Sequence, residues 1–308
     1  MNHNEKGFVN HSLDHYKFTK NYDLKKQTVV FHTLATQNFL KWYPLYSKSI
    51  SSQYGDNSQK FIQTVNAKKK DMQLIHHFDS KTEIYNTNIS KDEIASKLNL
   101  SSDVLNKYMF EQENGKTTNQ NFHYKLFISV QLRYLSIKNM MIEAKNYLDY
   151  QYFIHSDIDI NHRSNILEKI QHKNFDIALF GRRLNNYKIK ALGAYIIFKN
   201  NERTMNFLDN WYSKINALPF SEWPRGFGQI SLNQALSEAI SESKIILCDL
   251  SEEENITFSK LSDHESDIWL NSNSDHPGSS LDTPFTDTVT DIAKTLYLQS
   301  AFFDKRND

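Results

Sequence analysis

Apolar stretches of strand length alternate with amphipathic helical stretches along residues 28–250, and this alternation constrains the fold more than any other feature. Residues 28–34 (TVVFHTL) and 60–65 (KFIQTV) predict two buried strands, and the stretch between them has apolar residues at helical spacing. A strand, a helix and a second strand in this order are typical of a parallel sheet. The sequence therefore predicts an α/β fold with a mostly parallel sheet flanked by helices.

The predicted organisation is a single main domain with additions. A chain of 308 residues with 39% apolar residues can bury a full α/β core, but it is short for two large domains. We expect the main domain to span residues 28–262, after a polar extension at 1–27 and with a polar insertion at 79–121. Residues 263–288 are rich in Ser, Asp and Asn and predict a flexible lid or linker, and residues 289–308 predict an amphipathic C-terminal helix.

The composition excludes several classes of function. Lys plus Arg and Asp plus Glu both total 36, so no net charge attracts the protein to nucleic acid. Cys248 is the single cysteine, which rules out an internal disulfide and is typical of a reducing compartment. No apolar stretch has the length of a membrane span or of a signal peptide core. We therefore expect a cytoplasmic protein with at most a peripheral membrane contact and no nucleic-acid partner.

Two aspartates, Asp157 and Asp159, follow the predicted strand at 152–156 (YFIHS) directly. In an extended chain residues i and i+2 point to the same side, so both carboxylates would face one spot. Like charges at such a spot are tolerated if both are solvated at a strand end or if a cation lies between them. In open α/β sheets ligands bind beyond the carboxyl ends of the strands, which is where this pair would lie.

Four features occur in order along the second half of the chain. The DxD triplet comes first, then the strand-like stretch at 193–200 (GAYIIFKN), the helical stretch at 201–211 (NERTMNFLDNW), and Gln229 near a helix start. In this order they resemble glycosyltransferases of the GT-A fold, in particular the nucleotide-diphospho-sugar transferases. The resemblance covers residues 28–250 and implies a GT-A sheet. It also implies a metal-dependent enzyme that moves a sugar from a nucleotide-diphosphate donor to an acceptor such as a surface glycan.

The resemblance implies roles for individual residues. Asp157 and Asp159 would hold Mn²⁺ or Mg²⁺, both of which suit hard oxygen ligands. Such an ion stabilises the charge that develops on the diphosphate as the bond to the sugar breaks. The residues implied to contact the nucleotide or the donor sugar are Thr33, Ala35, Thr36, Arg133, Lys138, Ser156 and Gly193. Gln229 is the implied catalytic residue.

Two positions leave alternatives open. The family's Asp-Gln pair is replaced by Gly228 and Gln229, so a carboxylate expected near the donor sugar is absent from this position. A second register of the DxD motif would place His155 and Asp157, instead of Asp157 and Asp159, at the two metal positions.

A late histidine often supplies a third metal ligand in the resembled family. His276 precedes Pro-Gly in a polar segment and matches that usage better than His264. The ordinary interpretation of a histidine in a polar loop is a solvated side chain, and it stays open for both residues.

Two other functions compete with the transferase. Gly228 in place of an aspartate favours a GT-A-like protein that binds or acts as a scaffold without turnover. Phosphatases resembling haloacid dehalogenases also use a DxD motif, but theirs lies on the first strand and continues to Thr or Val. Here the motif lies in mid-chain and is followed by Ile160 and Asn161, which does not favour the phosphatase.

Overall fold

The structure is a computed structural model that describes residues 13–16, 29–36, 40, 42–55, 58–90, 92, 95–96, 101, 103–104, 106, 133–185, 188–217, 227–260 and 267–270. The helices are α1 (Tyr43–Tyr54), α2 (Lys69–Phe78), α3 (Arg133–Tyr147), α4 (Ile166–Ile170), α5 (Glu202–Asn216) and α6 (Phe227–Ser241). The first five strands are β1 (Leu13–Tyr16), β2 (Val29–Thr36), β3 (Ser58–Val65), β4 (Glu83–Thr87) and β5 (Tyr152–Ser156). The later strands are β6 (Ile160–His162), β7 (Ile177–Asn185), β8 (Lys188–Lys199), β9 (Leu247–Asp249), β10 (Phe258–Lys260) and β11 (Ile268–Leu270).

Eight of the described strands form one mixed sheet in the order β1-β4-β3-β2-β5-β8-β7-β9. The central strands β4, β3, β2 and β5 pair in parallel, and β9 pairs in parallel with β7. Strand β8 runs antiparallel to both β5 and β7, and β1 runs antiparallel to β4. Six of the eight strands therefore point the same way. The expected α/β class, a mostly parallel sheet flanked by helices, is confirmed.

Helices cover both faces of this sheet. Ile137 of α3, Trp211 of α5 and Leu232 of α6 are buried against one face. Tyr46 of α1 and Ile166 of α4 are buried against the other face. The central strands are consequently buried on both sides, as expected for parallel strands between helix layers.

Helix α5 begins at a side-chain cap and packs one side into the core. The side chain of Asn201 accepts a hydrogen bond from the backbone N–H of Thr204, which caps the helix start. Phe207, Leu208 and Trp211 lie on the buried side. The indole N–H of Trp211 donates to Ser231 of α6 at 3.1 Å, so the two helices are joined by a buried hydrogen bond.

A second, three-stranded sheet lies beside the aspartate pair. Strand β6 begins at Ile160, directly after Asp159, and pairs antiparallel with β11, which pairs with β10. Leu270, the last residue of β11, lies opposite Ile160. The chain therefore leaves β11 next to the residue that follows Asp159.

Three strands occur where the composition predicts polar or irregular segments. Strand β1 lies within the predicted extension at 1–27, β4 within the predicted insertion at 79–121, and β11 within the predicted lid at 263–288. Each is short and pairs with a strand distant in sequence, so local composition does not reveal it. His264, His276 and the predicted C-terminal helix lie outside the described residues. In the described part of the chain no helix has the length and apolarity needed to cross a membrane.

Candidate functional site

Several of the predicted site residues lie at the carboxyl edge of the main sheet. Strands β2 and β5 pair in parallel with His32 opposite His155, so their carboxyl ends lie at the same edge. Residues 33–36 form the end of β2, and Asp157 and Asp159 follow the end of β5. This position agrees with the rule that ligands of open α/β sheets bind beyond the carboxyl ends of the strands.

The backbone of Asp157 is fixed on both sides of the residue. Its N–H donates to the carbonyl oxygen of Ala194 on β8 at 2.9 Å, and its own carbonyl oxygen accepts from Ile160 N–H at 3.0 Å. These bonds tie the turn between β5 and β6 to the antiparallel strand beside it. The position of the carboxylate is thus set by the sheet and not by a free loop.

Arg133 is the charged partner of Asp157. Its Nη2 lies 3.1 Å from Asp157 Oδ1, and the two side chains are 24% and 21% exposed. The N–H bonds of the guanidinium are not directed at this oxygen, which is buried and accepts no hydrogen bond from the described residues. The pair is therefore an ion pair with an oxygen still lacking a donor, which is uncommon for a buried carboxylate.

The pKa of Asp157 reflects its burial and two charged neighbours. Asp159 is buried, at 6% exposure, and lies close enough to act on both Asp157 and Arg133. Burial raises the pKa of Asp157 to about 7, Arg133 opposes this rise, and the charge of Asp159 adds to it. A carboxyl with so high a pKa is poorly stabilised as an anion and gains from an additional cation.

A divalent cation fits this arrangement. The site offers a buried carboxylate oxygen without a hydrogen-bond donor among the described residues and a second carboxylate close enough to act on it. Hard cations such as Mn²⁺ and Mg²⁺ take oxygen ligands of this kind. Among the residues that the structure describes, no group of three or more His, Cys, Asp or Glu could hold a metal ion. Further ligands would therefore come from a bound diphosphate, from water, or from residues outside the described ranges.

A histidine pair lies behind the aspartates, and it bears on the second register of the motif. The Nδ1 atoms of His32 and His155 are 3.1 Å apart, so one ring donates to the other. Both side chains are fully buried, and burial lowers the pKa of His32 to about 3 and that of His155 well below its usual value. His155 is therefore a neutral, internally bonded core residue. The geometry favours Asp157 and Asp159 over His155 and Asp157 as the metal-facing pair.

The residues before the aspartate pair are buried. Ser156 is fully buried and donates to Tyr46 Oη at 3.0 Å, with His162 Nε2 at 3.4 Å. Thr33 is also fully buried, and Ala35 packs in the core on the α1 side of the sheet. A nucleotide at this edge would therefore meet the backbone of Thr33 and Ala35, and the Ser156 hydroxyl is already bonded inside the protein.

Gly193 makes room for the residue next to Arg133. A methyl group at Gly193 would lie 2.6 Å from Tyr134 Oη, so a larger residue requires Tyr134 to move. The ring of Tyr134 lies 5.8 Å from the Arg133 guanidinium, which places the cation over its face. Gly193 thus supports Arg133 indirectly through Tyr134.

Gln229 lies in the first turn of α6 and Lys138 lies farther along α3. The amide Nε2 of Gln229 is buried without a hydrogen-bond partner among the described residues. Leu232, one turn later, would contact a methyl group at Gly193 at 3.7 Å, so this end of α6 lies near the same edge. Lys138, which the resemblance implies at the donor, forms an ion pair with Asp209 of α5.

The sequence singled out Arg133 but not its partner, and it missed Tyr134. The only signal for the ion pair is an Arg at the start of the helix that leads into the DxD strand. Sequence spacing does not show that this Arg lies against Asp157, because 24 residues separate them. Nothing in the spacing indicates that Tyr134 and Gly193 touch.

No protein-family model and no curated protein matches the sequence. Among solved structures, 139 chains match. One is the galactosyltransferase LgtC in complex with donor and acceptor sugar analogues, at 7% identity and a TM-score of 0.43 over 88% of this chain and 95% of that one. Another is the bifunctional glycosyltransferase WbbM in its apo form, at 9% identity and a TM-score of 0.48 over 92% of this chain and 52% of that one. A third is the glycosyltransferase GlyE of Streptococcus pneumoniae, at 9% identity and a TM-score of 0.46 over 87% of this chain and 63% of that one. At such identities and TM-scores these likenesses carry no argument about the site or its reaction.

Proposed function

We propose that the protein is a metal-dependent glycosyltransferase of the GT-A type, which moves a sugar from a nucleotide-diphosphate donor to a hydroxyl acceptor such as a surface glycan. The observation that carries this proposal is the aspartate pair at the carboxyl end of β5, with one buried oxygen of Asp157 lacking a hydrogen-bond donor. The order of motifs around the pair supports it. The proposed cytoplasmic location rests on the composition alone.

Each residue of the site would have a separate role in the reaction. Asp157 and Asp159 would hold Mn²⁺ or Mg²⁺, which, when bound, stabilises negative charge on the departing diphosphate. Arg133, a quarter exposed at the same edge, adds a second positive charge for the phosphates. The buried amide of Gln229 is a free donor for a sugar hydroxyl. The backbone of residues 33–36 would position the nucleoside.

His276 is the proposed third protein ligand of the cation. Leu270, the last residue of β11, lies opposite Ile160 and therefore next to the aspartate pair. His276 follows six residues later, and six residues span at most about 20 Å. The strand pairing thus brings Leu270 to the site and leaves His276 within reach of it, which supports this assignment.

Calorimetry with UDP or GDP, in the presence and absence of Mn²⁺, tests the proposal. We expect metal-dependent binding in the wild type and its loss in Asp157→Ala and in Asp159→Ala, while both variants remain folded. Asp209→Ala is the matched control because Asp209 is an exposed carboxylate on α5, with its side chain 56% exposed. Unchanged nucleotide affinity in both site variants would contradict the metal site and therefore the proposed function.

A binding or scaffold role without turnover is the second candidate. Gly228 at the start of α6 supplies no carboxylate where the resembled family has one. Hydrolysis of a panel of nucleotide sugars with Mn²⁺ separates the two. Release of nucleoside diphosphate from any donor, lost in Asp159→Ala, supports the enzyme. Tight binding of the same donors with no release supports the scaffold.

A further inference from the structure

We propose that His162 is a positioning residue for the aspartate pair: through Ser156 it fixes the turn that carries both carboxylates, and the fixed turn makes the pair selective for small divalent cations. The inference rests on the proposed function, because it takes Asp157 and Asp159 as ligands of the cation. It gives a role to a side chain that lies outside the DxD motif and that the sequence did not single out.

The two aspartates are anchored to different sheets. The backbone N–H of Asp157 donates to the carbonyl oxygen of Ala194 at 2.9 Å, and Ala194 belongs to β8 of the main sheet. Asp159 is followed directly by Ile160, the first residue of β6, which pairs with Leu270 in the three-stranded sheet. How the two carboxylates face each other therefore depends on how the three-stranded sheet is held against the main sheet.

His162, the last residue of β6, holds the two sheets together. Its side chain is buried, and its ring centroid lies 5.2 Å from that of Phe31 on β2 and 5.6 Å from that of Tyr195 on β8. Its backbone N–H donates to Ser49 Oγ of α1 at 3.1 Å. A ring enclosed by two strands of the main sheet, on a backbone bonded to α1, leaves β6 little freedom to shift.

His162 also bonds to the residue that precedes Asp157. Ser156 Oγ donates to Tyr46 Oη at 3.0 Å, and His162 Nε2 lies 3.4 Å from the same Ser156 oxygen. Because Tyr46 receives the hydroxyl hydrogen of Ser156, the imidazole is the donor in the second contact and carries its proton on Nε2. Burial lowers the pKa of His162 to about 3, so the ring is neutral. The contact joins the two ends of the stretch 156–162 and thereby holds the turn with both aspartates between them.

A turn held in this way discriminates between cations by size. Mg²⁺ requires near-octahedral oxygen ligands at about 2.0–2.1 Å, whereas Ca²⁺ accepts about six to eight oxygens at about 2.3–2.6 Å in a flexible geometry. Carboxylates with fixed positions suit the small ion, and carboxylates on a loose turn can adapt to the large one. His162 thus acts on the cation through Ser156 and the turn.

Displacement of Mn²⁺ in the presence of UDP or GDP measures this selectivity. Bound Mn²⁺ is followed by electron paramagnetic resonance while Mg²⁺ or Ca²⁺ competes for the site. In His162→Phe, which keeps a ring and loses Nε2, we expect the ratio of Mg²⁺ to Ca²⁺ affinity to fall about tenfold or more, the usual effect of removing a group that orients a metal ligand. His162→Gln places an amide nitrogen near the position of Nε2 and should recover most of the ratio.

Tyr150→Phe is the matched control. Tyr150 is buried two residues before β5 and donates to the carbonyl oxygen of Met141 at 2.8 Å, so this variant also keeps a ring and loses one buried hydrogen bond. We expect thermal stability to fall in both variants and the affinity ratio to change in His162→Phe alone. Ser156→Ala removes the same contact from its other side and should lower the ratio too, which keeps the test decisive if His162→Phe does not fold.

The outcomes separate this role from the proposed function. An unchanged affinity ratio in Ser156→Ala and in a folded His162→Phe would overturn the positioning role and leave the proposed function standing. A ratio that falls as far in Tyr150→Phe as in His162→Phe, or a wild type without preference for Mg²⁺ over Ca²⁺, would overturn it as well. A wild type that binds no nucleoside diphosphate with Mn²⁺ would overturn both the positioning role and the proposed function.

Discussion

Lys60–Asp79 and Arg133–Asp157 are both shielded ion pairs, yet only the first is complete. Lys60 Nζ lies 2.5 Å from Asp79 Oδ2, and the two side chains are 7% and 11% exposed. Ser47 donates to the same carboxylate at 2.6 Å, and a backbone N–H donates to its other oxygen at 3.0 Å. Asp157 lies at ion-pair distance from Arg133 but has a buried oxygen with no donor among the described residues.

The difference appears as opposite pKa shifts. Burial acts to raise the pKa of Asp79, but Lys60 and the hydrogen bonds outweigh it, so the net shift is downward. For Asp157 burial prevails and the pKa rises to about 7. A complete set of donors makes a carboxylate part of the framework, whereas an incomplete set leaves it able to take a ligand. We expect the first pair to govern stability and the second to govern binding.

The largest expected effect is on the complete pair. Lys60→Met leaves Asp79 buried without its cation, and breaking a buried pair from one side costs about 3–5 kcal/mol. Urea denaturation measures the loss of unfolding free energy. Nucleotide binding by the folded fraction should remain as in the wild type. A drop in binding with little loss of stability would reverse the roles of the two pairs.

The next effect concerns pH and has opposite signs for the two carboxylates. The raised pKa of Asp157 means that the folded state binds this proton more tightly than the unfolded state does. The protonated carboxyl therefore contributes to the free energy of unfolding below pH 4, and this contribution is lost as pH rises toward 7. The Asp157→Asn side chain does not titrate, so this variant does not lose stability at this position as pH rises. At pH 8 the variant should be more stable than the wild type by about 2–4 kcal/mol, after allowance for the partial exposure of the side chain. Near pH 4 the two should be almost equally stable by urea denaturation.

Asp79 should behave in the opposite way. Its lowered pKa gives a stabilisation that is present above the unfolded value of 3.8 and is lost as pH falls through the folded value. In the wild type, acid unfolding should therefore begin below pH 4. An Asp79→Asn variant that lost stability equally at pH 3 and pH 7 would contradict this assignment.

A smaller effect tests whether packing holds Arg133 in place. In Gly193→Ala the added methyl would lie 2.6 Å from Tyr134 Oη, and such overpacking costs about 1–3 kcal/mol. Because Tyr134 flanks Arg133, we also expect weaker nucleotide binding. Tyr134→Phe in the same chain removes the colliding hydroxyl and should restore part of both losses. Thermal unfolding and calorimetry on the single and double variants give the comparison.

The smallest effect is expected from the third pair, Lys138–Asp209. It lies at the surface, with side chains 29% and 56% exposed, and exposed pairs contribute about 0–1 kcal/mol. Lys138→Met should leave stability within that range and binding unchanged. A clear loss of nucleotide binding would return Lys138 to the donor site that the sequence predicted for it.

The sequence by itself determined the local structure and the type of site. Alternation of strand-like and helical stretches placed β2, β3, β5 and α5 within a few residues of their observed bounds and predicted a helix between β2 and β3, because periodicity is a property of neighbouring residues. Asn201 as a cap and Trp211 as a core residue follow from the same local pattern. The DxD triplet after an apolar strand indicated two carboxylates at a ligand-binding edge. The extended geometry expected for them is wrong, because residues 157–160 form a turn closed by a bond from Ile160 N–H to the Asp157 carbonyl oxygen.

Only the tertiary structure decided which groups meet. Strand β8 runs antiparallel between β5 and β7, β4 belongs to the main sheet, and β11 lies beside β6. The same apolar pattern suits a parallel or an antiparallel strand, so pairing depends on partners far along the chain. His155 became a buried partner of His32, and Arg133 became the counter-ion of Asp157. Both outcomes depend on burial and on distances between residues more than 20 positions apart, and local sequence carries neither.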